Sequence, residues 1–275
     1  MDAIDQFRQA TAAAGLSLPE VIHGDGKLHR FSTDGKPSHT NGWYFQHLDG
    51  IPWGQAGSWD VNGGDPVCHW CAKSDNQMTQ AEPDTQRQRS AAMQVQRDAD
   101  KAAEQKSAAT TAAQRLAAAA ICTQHVYLTR KGIQPQGARI EGDKLLIPMR
   151  DMAGTVHSLQ TIAPDGTKMF MSGGRVKGCY YGIGKPKGAL IVCEGFATGA
   201  SIHECTGHAV AVAFNAGNLE AVAVALRTKY PALKIIIAAD DDHQTPGNPG
   251  MTKATAAAQT TGATLAVPVF KAVAV

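Results

Sequence analysis

The stretch Ala189-Leu190-Ile191-Val192-Cys193-Glu194-Gly195-Phe196-Ala197-Thr198-Gly199 sets five apolar residues directly before an acid and a glycine. A second stretch has the same shape, Ile235-Ile236-Ile237-Ala238-Ala239 running into Asp240-Asp241-Asp242. Between the two lies an apolar run from Ala209 to Phe214, and after them another from Thr264 to Val269. Runs this short and continuous predict strands covered on both faces. The segments 197–205, 219–229 and 251–261 between them have helical length and composition. Strands alternating with helices imply right-handed crossovers and a parallel sheet. In such sheets functional groups gather beyond the carboxyl ends of the strands, where Glu194 and the aspartates fall. The two clusters are 46 residues apart, so only the fold can bring them together.

One Glu and an Asp-x-Asp pair supply three hard oxygen ligands. They suit Mg²⁺, which keeps several waters and shares its shell with substrate phosphates. That is equipment for phosphoryl or nucleotidyl transfer. Acids at strand ends also cap the next helix in many α/β proteins, and either cluster alone says no more than that. Together and in this order they resemble the Toprim fold, in which a Glu-Gly motif and a later Asp-x-Asp motif bind metal. The form Glu194-Gly195-Phe196-Ala197-Thr198-Gly199 is similar to the Glu-Gly-Tyr-Ala-Thr-Gly signature of DNA primases carried by plasmids and phages. Ala216-Gly217-Asn218-Leu219 and Gly250-Met251-Thr252-Lys253-Ala254 resemble the same group. The resemblance implies Glu194, Asp240 and Asp242 as catalytic metal ligands, with Mg²⁺ or Mn²⁺ as cofactor. Alternation along an extended chain agrees, since it puts Asp240 and Asp242 on one side and Asp241 on another.

The whole chain, 275 residues with 43% hydrophobic and 18% charged content, has the composition of a soluble globular protein. It has room for one medium domain and a smaller one. No apolar run approaches a membrane span, and six cysteines without a framework spacing suit a reducing cytoplasm. No phosphate-loop motif is present, so a motor ATPase is not expected. Charge is unevenly placed. Residues 1–120 carry 11 bases and 14 acids, residues 121–185 carry 9 and 4, and residues 186–275 carry 6 and 6.

That basic middle block reads as strand, turn and strand through Leu145–Gly154 and Thr155–Ile162, then a tight turn at Asp165-Gly166 into Lys168–Met171. It resembles the region preceding Toprim in bacterial replicative primases. Arg150, Lys168, Arg175 and Lys177 are candidates to neutralise triphosphate or template phosphates, and Lys253 to reach a phosphate near the start of the last helix. Phe170, Tyr180 and Tyr181 are candidate platforms for bases, with one of the two tyrosines expected in the core. Solvated strand edges and ordinary packing would account for the same residue types. Gly195 is expected to ease a sharp turn after Glu194, Asn218 to cap the helix from Leu219, and His243 is a further candidate contact.

Toward the N-terminus, Ile4–Ala14 reads as a short amphipathic helix, and 27–31 and 42–47 as strands of a turn-rich module. Its Cys68-His69-Trp70-Cys71 supplies two of the four ligands zinc needs. Half-buried thiols are favoured for Cys68 and Cys71, while the zinc-binding modules of primases keep the other reading open. Residues 80–120, rich in Ala, Gln, Arg and Lys, read as a helical connector.

The expected organisation is therefore an α/β chain in four parts. A β-rich module spans 1–79, a helical connector 80–120, a mixed α+β basic subdomain 121–187, and a Toprim-like parallel sheet flanked by helices 188–275. The resemblance implies a primase-type nucleotidyltransferase acting on single-stranded DNA and nucleoside triphosphates, with a replicative helicase in trans as a further partner. A Toprim protein that binds single-stranded DNA and recruits partners without catalysis is the alternative. The relatives usually continue past the last strand, whereas Val275 follows closely on Val267-Pro268-Val269-Phe270. Three readings attach to that difference: a fragment, a compact stand-alone primase, or a descendant that kept the binding surface and has reduced or lost activity.

Overall fold

The computed structural model describes residues 1–36, 39–62, 65–73, 82–242, 245 and 247–268. His243 lies outside them, as does Val269 at the end of the last expected strand. The chain forms two compact units, Met1–Gln96 and Arg97–Val275.

In the first unit, α1 (Ala3–Ala13) is followed by β1 (His29–Phe31), β2 (Gly42–His47), β3 (Trp53–Ser58), α2 (Trp59–Asn62) and β4 (Pro66–Cys71). The four strands form one antiparallel sheet in the order β1-β2-β3-β4. Asp2 caps α1 by accepting the Asp5 amide at 2.7 Å. Phe7 is fully buried against Leu16, Ile22, Phe31, Tyr44 and Ala56, so the amphipathic helix is where the sequence puts it. Cys68 and Trp70 share the sheet face toward α1. Trp70 stands 5.8 Å from the Phe7 ring, and the Thr11 hydroxyl reaches the Cys68 sulfur at 3.8 Å. Cys71 lies three residues on, an odd step along a strand, so it belongs to the opposite face. The two thiols of the Cys-x-x-Cys motif diverge.

The connector forms α3 (Glu82–Ala118), a helix of 37 residues. Its last turns lie in the second unit, where Ala112 and Ala119 pack on Leu146 and Leu159. Arg115 holds Glu141 there through two hydrogen bonds.

The rest of the second unit holds two sheets. The first comprises β5 (Ala120–Ile121), β6 (Arg139–Glu141), β7 (Lys144–Arg150), β8 (Val156–Ile162) and β9 (Lys168–Phe170), paired antiparallel in that order, with α4 (Val126–Lys131) between β5 and β6. The second contains β10 (Tyr181–Ile183), β11 (Ala189–Cys193), β12 (Ala209–Val212), β13 (Lys234–Ala238) and β14 (Thr264–Ala266), ordered β10-β12-β11-β13-β14. Helices α5 (Phe196–Thr206), α6 (Leu219–Lys229) and α7 (Pro249–Thr261) connect them. Pairs β11–β12, β11–β13 and β13–β14 are parallel, as the alternating pattern predicts. The one antiparallel member is β10, an edge strand too short to show a period of its own.

Both faces of this sheet are covered, which explains the unbroken apolar runs. Ile191, Cys193, Val210 and Val212 face α5 and the antiparallel sheet, packing with Phe196, Ala200, Met149 and Ile162. Leu190, Val192, Ile235 and Ile237 face α6 and α7. Each such side chain contributes about 1.5–3 kcal/mol by leaving water. Gly199 permits the α5 contact, because a Cβ there would stand 2.7 Å from Val212 and 3.1 Å from the Cys193 sulfur. Gly195 has no such duty. Its φ of −97° suits any residue, and an added Cβ would meet only the Thr198 hydroxyl at 3.5 Å. The sharp turn expected of it is an ordinary extended step into α5.

Candidate active site

β11 and β13 are hydrogen-bonded neighbours with Val192 opposite Ile237. Glu194 and Asp240 therefore emerge at the same sheet end from strands about 5 Å apart. The loop after β12 joins them there. The Phe214 amide donates to the Glu194 carbonyl at 2.8 Å, and the Ala216 amide supports the Glu194 carboxylate. Burial, then the charges of Asp240 and Asp242, hold Glu194 above the ordinary carboxylate range. Burial and Asp242 do the same to Asp240. In both cases Lys168 on β9 pulls the other way. The structure thus gathers Glu194, Asp240, Asp242 and Lys168 into one electrostatic group.

Asp241 is turned differently. Its Oδ1 accepts from Asn248 Nδ2 at 2.8 Å. Asn248 also accepts the Asp242 amide at 3.0 Å and caps α7 through the Met251 amide. Pro249 occupies the first helical position behind it. Gly250 completes the arrangement, since a Cβ there would come within 2.5 Å of the Asp240 carbonyl oxygen and 2.8 Å of an Asp242 carboxylate oxygen. A cleft of about 550 Å³ opens along the three aspartates, bordered by Thr198, Ile202 and Pro268.

The remaining candidates fall into two groups. Lys177 and Lys253 are exposed. Arg150 gives a donor to the Gly154 carbonyl at 2.9 Å within its own hairpin, and Arg175 approaches Asp151 at 3.4 Å in a groove beside α3. Asp151 also holds His157 at 2.8 Å. Tyr181 is core: its hydroxyl donates to the Gln136 carbonyl at 2.6 Å, and burial pushes it up to about 12. Tyr180 is half-buried against the α6 side of the sheet, so of the two tyrosines it is Tyr181 that lies in the core. Phe170 stays exposed and meets Phe214 edge to face, centroids 6.4 Å apart.

Asn218 precedes α6 but makes no capping bond with its side chain. It is buried instead in a three-way bridge. Its Oδ1 accepts the Gly178 amide at 2.7 Å, and its Nδ2 donates to the carbonyls of Cys179 at 2.9 Å and Ala213 at 2.8 Å. The bridge ties the basic block to the loop that carries Phe214. Sequence reading passed over Asn248 and Phe214. The Asn-Pro pair before a helix was an available signal for the first, and nothing local marks the second.

For a hard divalent cation the donor set is apt: three carboxylates, two of them held above their ordinary range by burial and mutual charge, with one ammonium to offset them. Among the described residues no three His, Cys, Asp or Glu side chains stand, as they are, in a group that could hold a metal ion.

A mostly parallel sheet with Glu-Gly and Asp-x-Asp at neighbouring strand ends is the Toprim arrangement, and residues 189–272 match the Toprim domain family. The resemblance to Toprim-domain primases extends further. Over 97% of its length the chain is 36% identical to a DNA primase TraC of Escherichia coli, in an alignment of 289 residues. A second Escherichia coli DNA primase TraC matches at 36% over 282 residues. The chain spans 19% of the first relative's length and 26% of the second's. Among solved structures it is similar to the primase fragment of the bacteriophage T7 primase-helicase protein, with TM-score 0.40, 17% identity, and coverage of 53% of this chain and 64% of that one. It is also similar to the DnaG primase catalytic domain bound to ssDNA, with TM-score 0.32, 15% identity and 52% of each chain covered. Among the described residues no helix is long and apolar enough to cross a membrane.

Proposed function

We propose that the chain is a primase-type nucleotidyltransferase that builds short primers on single-stranded DNA from nucleoside triphosphates. The observation that carries this reading is the meeting of Glu194, Asp240 and Asp242 with Lys168 at one sheet end. Held by those three carboxylates, Mg²⁺ or Mn²⁺ would neutralise the triphosphate and favour in-line attack by a primer 3′-hydroxyl. Lys168 draws the phosphates to the acids. The first turn of α5, which has no side-chain cap, offers amides at the same end. Arg150, Arg175, Lys177 and Lys253 are assigned to phosphates of template or nucleotide farther from the acids. In this scheme residues 121–187 hold substrate and 188–275 carry the acids, while 1–79 and 80–120 act as module and connector. A helicase in trans is the proposed replication partner. The 36% identity to DNA primase TraC supports the reading.

Primer synthesis with labelled ribonucleotides, a single-stranded template and Mg²⁺ or Mn²⁺ tests it. Asp240→Asn and Asp242→Asn are expected to lower product by about a hundredfold or more. Asp241→Asn, which alters a residue bonded to Asn248, keeps activity. Template binding without product in the unaltered protein refutes the enzyme and favours a recruiting role.

A further inference from the structure

Phe170 stands out on the face it shares with Lys168. On β9 the two are alternate residues, Lys168 opposite Ile162 and Phe170 opposite Gln160, so both point to the side on which Ile162 enters the core. Lys168 acts on Glu194 and Asp240 from that side. Phe170 is 41% exposed there, unusual for a large apolar ring beside a cluster of charges. Its contact with Phe214 is T-shaped, at 81° between the rings, and so occupies at most one face of the Phe170 ring. Phe214 is itself held in place at a cost. Its φ of 73° is left-handed, a conformation that residues other than glycine adopt only under strain. The strain is kept where the Phe214 amide is bonded to Glu194 and the ring supports Phe170.

We infer that Phe170 is the stacking platform for the base of a nucleoside triphosphate whose phosphates lie against Lys168 and the acids. The assignment rests on the nucleotidyl-transfer reading of that site and adds where the base lies. Alternate strand residues are about 7 Å apart, a separation on the scale of the ribose between a base and its phosphates. An unsubstituted ring has no donor or acceptor with which to choose among bases. The platform therefore serves every nucleotide, and base choice is left to the template.

Equilibrium binding of ATP and of inorganic tripolyphosphate, both with Mg²⁺, separates base from phosphate recognition. Phe170→Ala is expected to weaken ATP about tenfold or more while tripolyphosphate stays within about twofold. Phe170→Leu, which keeps an apolar group against Phe214, is expected to behave like Phe170→Ala. Phe170→Trp restores ATP binding. Equal losses for both ligands, an unchanged ATP affinity, or full rescue by Phe170→Leu overturns the platform and leaves the acid site standing. A loss confined to a single-stranded oligonucleotide overturns it too, because the ring would then hold template. If the unaltered protein binds neither ATP nor tripolyphosphate, the nucleotidyl-transfer reading itself falls and takes the platform with it.

Discussion

Asn218→Ala should cost the second unit far more than the loss of a helix cap. The side chain is 3% exposed and satisfies one amide and two carbonyls, those of Gly178, Cys179 and Ala213. Only one amide orientation does this, because the oxygen must face the Gly178 N–H and the nitrogen the two carbonyls. A net 0.5–1.5 kcal/mol per bond makes the loss about 3 kcal/mol, and more if water does not reach the orphaned groups. Asn218→Asp should be worse, since a buried carboxylate would face two carbonyl oxygens and a single donor. All four tryptophans, Trp43, Trp53, Trp59 and Trp70, lie in Met1–Gln96, so their emission reports the wrong unit. Urea unfolding should be followed by far-ultraviolet circular dichroism, with amide exchange read at Gly178. A loss below about 1 kcal/mol, with Gly178 still protected, would show that the bridge is replaced by water and that the count of bonds was the wrong basis.

Asp240→Asn should stabilise the protein in chelator at pH 7 by about 1 kcal/mol, or about 2–4 °C in Tm. The sign follows from the raised carboxyls: the folded state binds protons more tightly than the unfolded one, so their contribution falls as pH rises from the ordinary carboxylate range through the raised values. The gain should vanish below about pH 4, and a gain that persists there would refute the electrostatic cause. Gly250→Ala should displace the Asp240 backbone, cost about 1–3 kcal/mol and reduce activity along with stability, as thermal unfolding and primer synthesis would show. Full activity in that variant would mean that α7 moves away instead. Metal analysis of purified protein should find well below one zinc per chain, because Cys68 and Cys71 take opposite strand faces.

The sheet was legible because its residues obey a local rule. Buried on two faces, Leu190 to Cys193 and Ile235 to Ala238 have no polar alternation to confuse with surface strands. The acids were legible for a related reason: a short motif directly after an apolar run has only one end of a parallel sheet to occupy. Features that depend on partners distant in sequence were hidden. Asn218 looks like a cap from its neighbours, yet its bonds run to Gly178, 40 residues back. Gly195 looks like the glycine that matters until Val212 and Cys193 are found crowding Gly199. Of the candidate bases, only side-chain environment could separate Lys168, which acts on the acids, from Arg150 and Arg175, which spend donors on Gly154 and Asp151.

Two tethers explain how a cluster of mutually repelling acids is kept in shape. Asn248 fixes the aspartate segment by joining Asp241, the Asp242 amide and the start of α7. Asn218 fixes the opposite bank by joining the basic block to Ala213, next to Phe214, whose amide is bonded to Glu194. Both tethers act on backbone and on Asp241 and take no oxygen from the carboxylates of Glu194, Asp240 and Asp242. Neutralising the acids should relieve repulsion and raise stability, whereas cutting a tether should lower it. That opposite sign separates the acids from the residues that place them, in a site where both are polar.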